Sequence, residues 1–353
     1  MSRPAIARIN CANLRHNYRI LKQQAGKARL MSVVKANAYG HGLDIVAPAL
    51  FDEGCREFAI TDADEGASLR GLLGVDADIV ILSGIFDADD AKLAASHHLI
   101  PTITETTQAE LLGAAGFSGQ VWIKVDTGMQ RLGADNPEAM LQACAKYGLK
   151  LAGIMSHLAC ADTPEHPLNL EQVSCFRGVL KTMPEGTPAS LLNSGGLAWM
   201  PEHAFDVVRP GIALYGTEPA EGIKLGLKPV MQLTGNVMQI RDVPKDTTIS
   251  YGASYIAERD MRVAVISLGY ADGLPRILSN QGCAVWQGNR LPIVGRICMD
   301  YCLLDVSSFD LACGDEVEFW GQTLTASEVA SLADTITYEI FTSIGQRVHR
   351  EAI

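Results

Sequence analysis

The spacing of apolar and polar residues changes along the chain and divides it into two parts. From about residue 28, short β-branched runs alternate with longer segments of helical spacing. Eight runs are predicted strands: Leu30–Val34, Glu57–Ile60, Asp78–Leu82, Leu99–Ile103, Val121–Val125, Leu151–Ser156, Ser190–Asn193 and Asp206–Val208. Predicted helices lie between them, at Asp62–Leu73, Thr106–Ala115, Pro137–Tyr147 and Leu168–Met183. This alternation favours a (β/α)8 barrel over an open doubly wound sheet.

The pattern changes near Gly226, where helical spacing becomes rare and turns rich in Gly, Asn and Asp separate short strands. The predicted strands are Pro229–Arg241, Thr248–Tyr251, Arg262–Ser267, Cys283–Trp286, Leu291–Val294, Tyr301–Val306 and Glu316–Trp320, with one helix at Ala326–Ala333. We therefore predict an α/β fold with a (β/α)8 barrel domain at residues 1–222 and a mostly β domain at residues 223–353. In the first domain, Asp62 and Glu65 have the spacing of a capping box.

Composition narrows the classes of function. The 353 residues are 48% hydrophobic and 20% charged, as in an ordinary soluble enzyme. The net charge of −11 comes without a basic stripe, which argues against a nucleic-acid partner. No stretch is long and apolar enough to span a bilayer, and the first residues lack the apolar region of a secretory signal. The nine scattered cysteines are then best explained as free thiols, so we expect a cytoplasmic protein.

Lys35 is the first candidate for chemistry. It lies in Val33–Gly42 (VVKANAYGHG), where a predicted strand ends and a glycine-rich turn follows. Partial burial at such a position lowers the pKa of an ammonium and exposes a nucleophilic amine. That amine can form a Schiff base with a carbonyl compound. A solvated lysine that caps a strand is the structural alternative.

Other polar residues follow the later barrel strands, at the end where barrel enzymes place their functional side chains. They are Lys124, Asp126, Arg131, His157, Asn193, Ser194 and Arg209. Glycines after the last two strands allow backbone N–H groups to approach an anion, and these loops are the usual phosphate site. Each residue also fits an ordinary role, such as a core hydrogen bond, a tight turn or a surface ion pair. Their shared position on one rim favours a functional site.

The chain resembles the alanine racemases, which combine a barrel that binds pyridoxal 5′-phosphate (PLP) with a β-rich domain. The resemblance runs nearly from end to end. It rests on Val34–Gly42, Asp126–Met129, Val208–Ile212, Tyr251 and Gly252 with Tyr255, Gly269–Gly273, and Met299 with Asp300.

The resemblance implies that Lys35 forms the Schiff base with PLP. It implies further cofactor contacts from Tyr39, Ser194, Tyr338, the backbone of Gly211 and Ile212, and Arg209 at the ring nitrogen. Tyr255 is similar to the second catalytic base, which enters from the other subunit of a homodimer. Arg131 and the Met299 backbone resemble contacts to the substrate carboxylate. The resemblance also implies supporting roles for His157, Lys124 and Asp300. It implies that small substrates enter along a corridor formed by Tyr270, Arg276, Arg296 and Asp162.

The activity implied by the resemblance is the interconversion of L-alanine and D-alanine, a peptidoglycan precursor. Lys35 and Tyr255 would act on opposite faces of the substrate, Lys35 on the D-enantiomer and Tyr255 on the L-enantiomer. Some members of the family place a histidine four residues before the phosphate serine, where this chain has Ser190. The resemblance therefore does not support a relay from this position.

Other functions remain possible from the residues alone. A racemase of broader specificity could accept serine, because a small pocket rejects one added hydroxyl poorly. A non-catalytic PLP-binding barrel would lack Tyr255 and the second domain. A PLP decarboxylase would commonly carry an acid in place of Arg209. For a barrel metal hydrolase, His157, Cys160 and His166 form the only loose cluster, and we expect no metal.

Overall fold

The computed structural model describes residues 4–353, which divide into two compact units. Residues 1–3, which the predicted barrel domain included, lie outside the described residues. The barrel unit comprises residues 14–38 and 46–228, and the β unit comprises residues 4–13, 39–45 and 229–353. The first strand, β1 (Ala5–Ile9), therefore belongs to the β unit.

The barrel unit is built on eight parallel strands that close on themselves, which confirms the predicted fold class. In order around the barrel they are β2 (Arg29–Val33), β3 (Glu57–Ile60), β4 (Asp78–Ile81), β5 (Ile100–Ile103), β6 (Gln120–Lys124), β7 (Lys150–Met155), β8 (Ala189–Asn193) and β9 (Val207–Arg209). β3 and β5 are buried at every position. Such continuous burial is expected where a parallel sheet is covered on both faces.

In the described residues, one helix precedes the first barrel strand and seven helices connect successive barrel strands. They are α1 (Cys11–Ala25), α2 (Leu43–Asp52), α3 (Ala63–Leu73), α4 (Ala88–Ser96), α5 (Thr106–Ala114), α6 (Pro137–Lys146), α7 (Leu168–Leu180) and α8 (Ser194–Trp199). α3 begins as predicted, because the Asp62 carboxylate accepts the Glu65 N–H at 2.9 Å. The reciprocal bond of a capping box does not form: the Glu65 carboxylate accepts the Thr61 N–H instead, at 2.9 Å.

The β unit is centred on β10, a long strand with partners on both sides. Its strands are β10 (Met231–Val243), β11 (Thr248–Ile249), β12 (Tyr255–Ile256), β13 (Met261–Ile266), β14 (Cys283–Trp286), β15 (Asn289–Pro292), β16 (Cys302–Asp305), β17 (Glu316–Trp320) and β18 (His349–Ala352). The sheet runs β15-β14-β17-β10-β1-β18, β13 bridges β10 and β16, and β11 pairs with β12 alone. Two helices, α9 (Ala326–Leu332) and α10 (Thr337–Thr342), complete the unit.

β1 joins this sheet through strands that are distant in sequence. It pairs antiparallel with β10 and parallel with β18. Because of this pairing, a single domain boundary near residue 222 does not separate the residues of the two units. No helix within residues 4–353 is long and apolar enough to cross a membrane.

Candidate active site

Lys35 follows β2 at the carboxyl end of the barrel strands and opens a strained turn. Ala36, Asn37 and Ala38 all have left-handed backbone angles, with φ of 52–54° and ψ of 49–53°. The Ala38 N–H donates to the Val34 carbonyl at 2.9 Å and closes the turn. A left-handed conformation costs roughly 1–2 kcal/mol for each residue with a Cβ atom. The surroundings must therefore hold this turn in place.

Glu65 of α3 is one group that holds it. Its Oε1 accepts the Ala36 N–H at 2.6 Å while Oε2 accepts the Thr61 N–H. The carboxylate thus joins the turn after Lys35 to the segment that follows β3. Burial lowers the pKa of Lys35 and the Arg131 guanidinium lowers it further, whereas the Glu65 charge acts in the opposite direction.

Lys124, the last residue of β6, lies among other cations. Burial lowers its pKa to about 8, and Arg209, Arg131 and Lys35 contribute to the shift against the opposing charge of Asp126. A fraction of Lys124 is therefore neutral near pH 7. Such a pKa is unusual for a lysine and is typical of functional sites.

The loop that carries Arg131 is fixed by Asp126. Its Oδ1 accepts the Gly128 N–H at 2.7 Å, and its Oδ2 accepts the Arg131 N–H at 3.1 Å. Burial acts to raise the pKa of Asp126, but these backbone donors outweigh burial and lower it. The carboxylate is therefore ionised and orders the loop, while the Arg131 side chain is exposed.

Arg209, at the end of β9, is buried among uncharged partners. Its Nη1 donates to Ser190 Oγ, and its Nη2 donates to the Ser156 carbonyl and, at 3.3 Å, to the Leu191 carbonyl and His157 Nδ1. Burial lowers the pKa of Arg209 to about 10, which leaves it cationic at pH 7. Within the described residues, its Nε–H has no hydrogen-bond partner.

The Ser190 hydroxyl connects Arg209 to the backbone of β9. Its hydroxyl accepts from Arg209 and donates to the Val207 carbonyl at 2.6 Å. This hydroxyl is a neutral group. It adds no titratable group beside Arg209.

His157, two residues beyond β7, is a neutral imidazole. A guanidinium can only donate, so His157 Nδ1 accepts from Arg209 and the ring hydrogen is on Nε2. Burial lowers the pKa of His157 well below its usual value, and Arg209, Arg131 and Lys124 add to the shift. His157 can therefore act as a hydrogen-bond donor through Nε2, but not as a cation.

Ser194 begins α8 and gathers backbone N–H groups from the segment after β9. Its Oγ accepts from Gly211 at 2.8 Å and from Ala213 at 3.4 Å. The hydroxyl hydrogen remains available to donate. At Gly195, a Cβ atom would lie 2.4 Å from the Ala161 carbonyl oxygen, so only glycine allows this close approach.

Within the β unit, Tyr39 and Tyr338 lie together, with ring centroids 5.8 Å apart and a tilt of 46°. Burial raises the pKa of Tyr39, and Tyr338 adds to the shift. The Arg350 Nε donates to the carbonyl of the neighbouring Gly40 at 2.7 Å. At Gly40, a Cβ atom would lie 2.0 Å from the Phe341 carbonyl oxygen, so this segment of the motif requires glycine.

Tyr255 lies on the short ribbon formed by β11 and β12, opposite Ile249. The half-buried side chain packs against a cluster of five buried residues: Ile249, Ala257, Met261, Val263 and Val294. This packing fixes the base of the side chain.

Met299 and Asp300 lie in a turn that Arg347 stabilises. The Arg347 Nη2 donates to the Met299 carbonyl at 3.2 Å, and Nη1 pairs with Asp300 at 2.9 Å. Its Nε pairs with the buried Asp272 at 2.6 Å, and the other Asp272 oxygen accepts the Gly269 N–H at 2.9 Å. One guanidinium therefore connects the Gly269–Gly273 motif to the Met299 turn.

The barrel site gathers four cations. Among residues 4–353, no ion pair is formed by its four cations, Lys35, Lys124, Arg131 and Arg209. Such an arrangement fits anionic ligands. In the described part of the chain, no group of three His, Cys, Asp or Glu side chains is placed to bind a metal ion.

Sequence reasoning had found every one of these cations, but it missed Arg347 and gave Glu65 only a capping role. Arg347 lies 75 residues from Asp272 and outside any motif. The second function of Glu65 depends on a contact 29 residues away, to Ala36. The one available signal was Asp272 itself, a buried acid inside the Gly269–Gly273 motif that requires a cation.

Comparisons with known proteins agree along the whole chain. Residues 9–219 match the family model for the alanine racemase N-terminal domain, and residues 230–352 match the model for the C-terminal domain. The chain is 39% identical to the catabolic alanine racemase of Agrobacterium fabrum, covering 98% of this chain and 91% of that protein. It is 38% identical to the biosynthetic alanine racemase of Pseudomonas aeruginosa, covering 99% of both.

The solved structures extend this likeness to the fold. The alanine racemase of Bartonella henselae with covalently bound pyridoxal phosphate superposes with a TM-score of 0.92 at 35% identity, covering 99% of both chains.

Proposed function

The chain belongs to the alanine racemase family and is a PLP-dependent isomerase of alanine, and we propose that Lys35 and Tyr255 are its two proton-transferring bases. The observation that carries this proposal is the set of unpaired cations around Lys35 at the mouth of the barrel. A PLP phosphate and a substrate carboxylate are the anions that this set would neutralise.

The residues present fit PLP. The partly desolvated Lys35 amine suits covalent attachment to an aldehyde. The Ser194 hydroxyl, with the Gly211 backbone beside it, suits phosphate oxygens. We propose that Ile212, Tyr39 and Tyr338 also contact the phosphate, as the family resemblance implies. PLP supplies an electron sink that makes the α-proton of the bound amino acid acidic enough to remove.

Arg209 is proposed to orient the ring nitrogen through its free Nε–H. Its Nη1 donates to Ser190, and its Nη2 donates to Ser156, Leu191 and His157. Because an arginine stays protonated in this pH range, it can donate a hydrogen bond without transferring a proton. We infer that this limits charge delocalisation into the ring and favours return of the proton over other outcomes.

The two bases divide the reaction by face. Lys35 would hold the proton exchanged with D-alanine, and the Tyr255 phenol would hold the proton exchanged with L-alanine. An ordinary phenol titrates near pH 10, so Tyr255 needs stabilisation of its phenolate. We propose that Arg131 supplies the positive charge and that His157 contributes a neutral donor. Arg131 and the Met299 backbone are proposed to bind the substrate carboxylate.

The covalent link is tested with Lys35→Ala and the matched control Lys150→Ala, which removes an exposed lysine at the start of β7. Borohydride treatment of the PLP-loaded parent and control should attach PLP to the peptide that contains Lys35. The Lys35→Ala protein should show no attachment, no visible absorbance band and no racemisation. Retention of that band in Lys35→Ala would remove Lys35 from its role.

Tyr255→Phe separates the two bases. It should keep bound PLP but slow proton exchange from L-alanine far more than from D-alanine. The assay is deuterium uptake at the α-carbon of each enantiomer, measured by mass spectrometry. Equal slowing of both enantiomers contradicts the assignment.

A homodimer with shared sites is also proposed. The β unit exposes apolar residues around Tyr255, with Tyr251 71%, Ile256 56% and Met299 53% exposed. Such a surface is typical of one covered by a partner. Mixed dimers of Lys35→Ala and Tyr255→Phe should regain one working site in two. Confirmed heterodimers without recovered activity would refute shared sites.

We further propose that the enzyme works in the cytoplasm and supplies D-alanine for peptidoglycan. The chain is similar to both a biosynthetic and a catabolic alanine racemase, so an experiment must decide between D-alanine synthesis and D-alanine breakdown. Growth of a deletion strain with and without added D-alanine tests the biosynthetic role.

A further inference from the structure

We propose that Glu65 is a positioning residue for Lys35, whose carboxylate fixes the left-handed turn after the lysine and sets the reactivity of its amine. This rests on the proposed function, because only a PLP-bearing lysine requires such control. Nothing in the family comparison assigns a role to Glu65.

Geometry is the first support. The Glu65 carboxylate accepts two backbone N–H groups from separate segments, Ala36 at 2.6 Å and Thr61 at 2.9 Å. The Ala36 N–H belongs to the peptide group that begins at the Lys35 carbonyl. Fixing that peptide fixes the direction in which the lysine side chain leaves the backbone. It also holds the first of the strained residues.

The ordinary role of a glutamate at this helix position is to cap its own helix. That role requires a bond to the Asp62 N–H, and the structure gives both Glu65 oxygens to other donors. The cap of α3 is instead made by Asp62, which accepts the Glu65 N–H. Capping therefore does not explain the orientation of this carboxylate.

Charge is the second support. The positively charged groups that interact with Lys35 are Arg131 and Lys124, and Lys35 also acts on the neutral His157. Glu65 is the acid whose charge opposes them at Lys35 within the described residues. Removing it should leave more of the Lys35 amine unprotonated at a given pH and make that amine react faster.

Three variants of the full-length protein distinguish the contributions of charge and reach. Glu65→Gln keeps the length but removes the charge and one of the two acceptor oxygens, whereas Glu65→Asp keeps the charge and both oxygens but shortens the reach. Asp64→Asn is the matched control, because Asp64 is an exposed acid on the same helical turn. Circular dichroism checks that all three fold.

The first measurement is competitive acetylation of Lys35 in the PLP-free protein between about pH 6 and pH 10, quantified on peptides by mass spectrometry. We expect Glu65→Gln to react about twofold faster or more below the midpoint of the parent, with the midpoint moved to lower pH. Glu65→Asp and Asp64→Asn should keep the parental midpoint. This readout does not depend on PLP binding.

The second measurement is the rate at which added PLP becomes attached to Lys35, trapped with borohydride. Glu65→Asp should be about threefold slower or more, because the turn is no longer held, and Asp64→Asn should be unchanged. A parental acetylation profile in Glu65→Gln, or parental capture by Glu65→Asp, overturns the proposal. Failure of the parent itself to attach PLP would instead contradict the proposed function, and the acetylation comparison would still decide the role of Glu65.

Discussion

Replacing Arg347 by alanine should destabilise the β unit, because it removes an ion pair and a hydrogen bond from the buried Asp272. Breaking a fully buried ion pair from one side costs about 3–5 kcal/mol. The Asp272 side chain is 1% exposed, but that of Arg347 is 35% exposed, so solvent already screens part of the attraction. Asp272 also keeps the Gly269 N–H. We therefore expect a loss of about 2–3 kcal/mol.

The loss is measured by urea unfolding, with hydrogen exchange of β-unit peptides to locate it. Arg290→Ala is the matched control, because its pair with Glu328 is exposed at 52% and 37% and should contribute little. Adding Asp272→Asn to Arg347→Ala should recover part of the loss, since it removes the buried charge that Arg347 had paired. A loss no larger than that of the control, or no recovery in the double variant, refutes the reasoning.

The same change should weaken substrate binding. Arg347 holds the Met299 carbonyl and Asp300, so its removal loosens the turn proposed to meet the substrate carboxylate. We expect KM for alanine to rise several-fold with a smaller change in kcat. Arg347→Lys keeps the charge but cannot reach all three partners at once, and it should fall between the parent and alanine. An unchanged KM would remove Arg347 from substrate positioning.

Three further predictions concern the barrel. Gly195→Ala should lower the free energy of unfolding by about 1–3 kcal/mol and weaken PLP binding, because the new Cβ atom would lie 2.4 Å from a carbonyl oxygen. Gly178→Ala in α7 is the control: its Cβ atom would have no neighbour within 4 Å, and the variant should be more stable by about 0.5–1 kcal/mol. Thermal melts of the two variants compare them directly. The lowered pKa of His157 means that the unfolded chain binds more protons below about pH 6.5, so the free energy of unfolding should fall on acidification by up to about 1.4 kcal/mol per pH unit. His157→Asn should flatten that part of the curve, and an unaltered slope counts against a neutral imidazole. Ser190→Ala removes a hydrogen-bond acceptor from the buried Arg209 and should lower the free energy of unfolding in urea by about 1–3 kcal/mol. The variant should also lose PLP faster on dialysis. Ser190→Thr, which keeps the hydroxyl, should restore stability and PLP retention.

The sequence was sufficient for the barrel because most barrel strands are short, mainly apolar runs that alternate with helical segments. The predicted Glu57–Ile60 coincides with β3, and Asp206–Val208 differs from β9 by one residue. The rim residues followed from the rule that functional side chains lie at strand ends. β1 could not be found in this way, because its partners β10 and β18 are hundreds of residues away. Long-range pairing leaves no periodic trace in a five-residue segment.

The turn after Lys35 was beyond sequence reasoning for a different reason. Alanine disfavours left-handed angles, and only Asn37 among the three residues adopts them readily. The local preferences of the two alanines therefore predict a conformation other than the left-handed one observed. It is imposed by tertiary bonds such as the one from Ala36 to Glu65, which no local pattern reveals. Strain held by remote partners is expected where function requires it, and here it surrounds the lysine with the clearest chemical role.

Charge provides the last link between the fold and the proposed chemistry. The chain carries a net charge of −11, yet its barrel mouth gathers Lys35, Lys124, Arg131 and Arg209 without an ion pair among the described residues. Burial and mutual repulsion lower the pKa of both lysines. A bound anion would act in the opposite direction and raise their proton affinity, so anion binding and lysine reactivity are coupled. Net charge alone does not reveal this cationic site, because acidic residues elsewhere on the chain outnumber the basic ones.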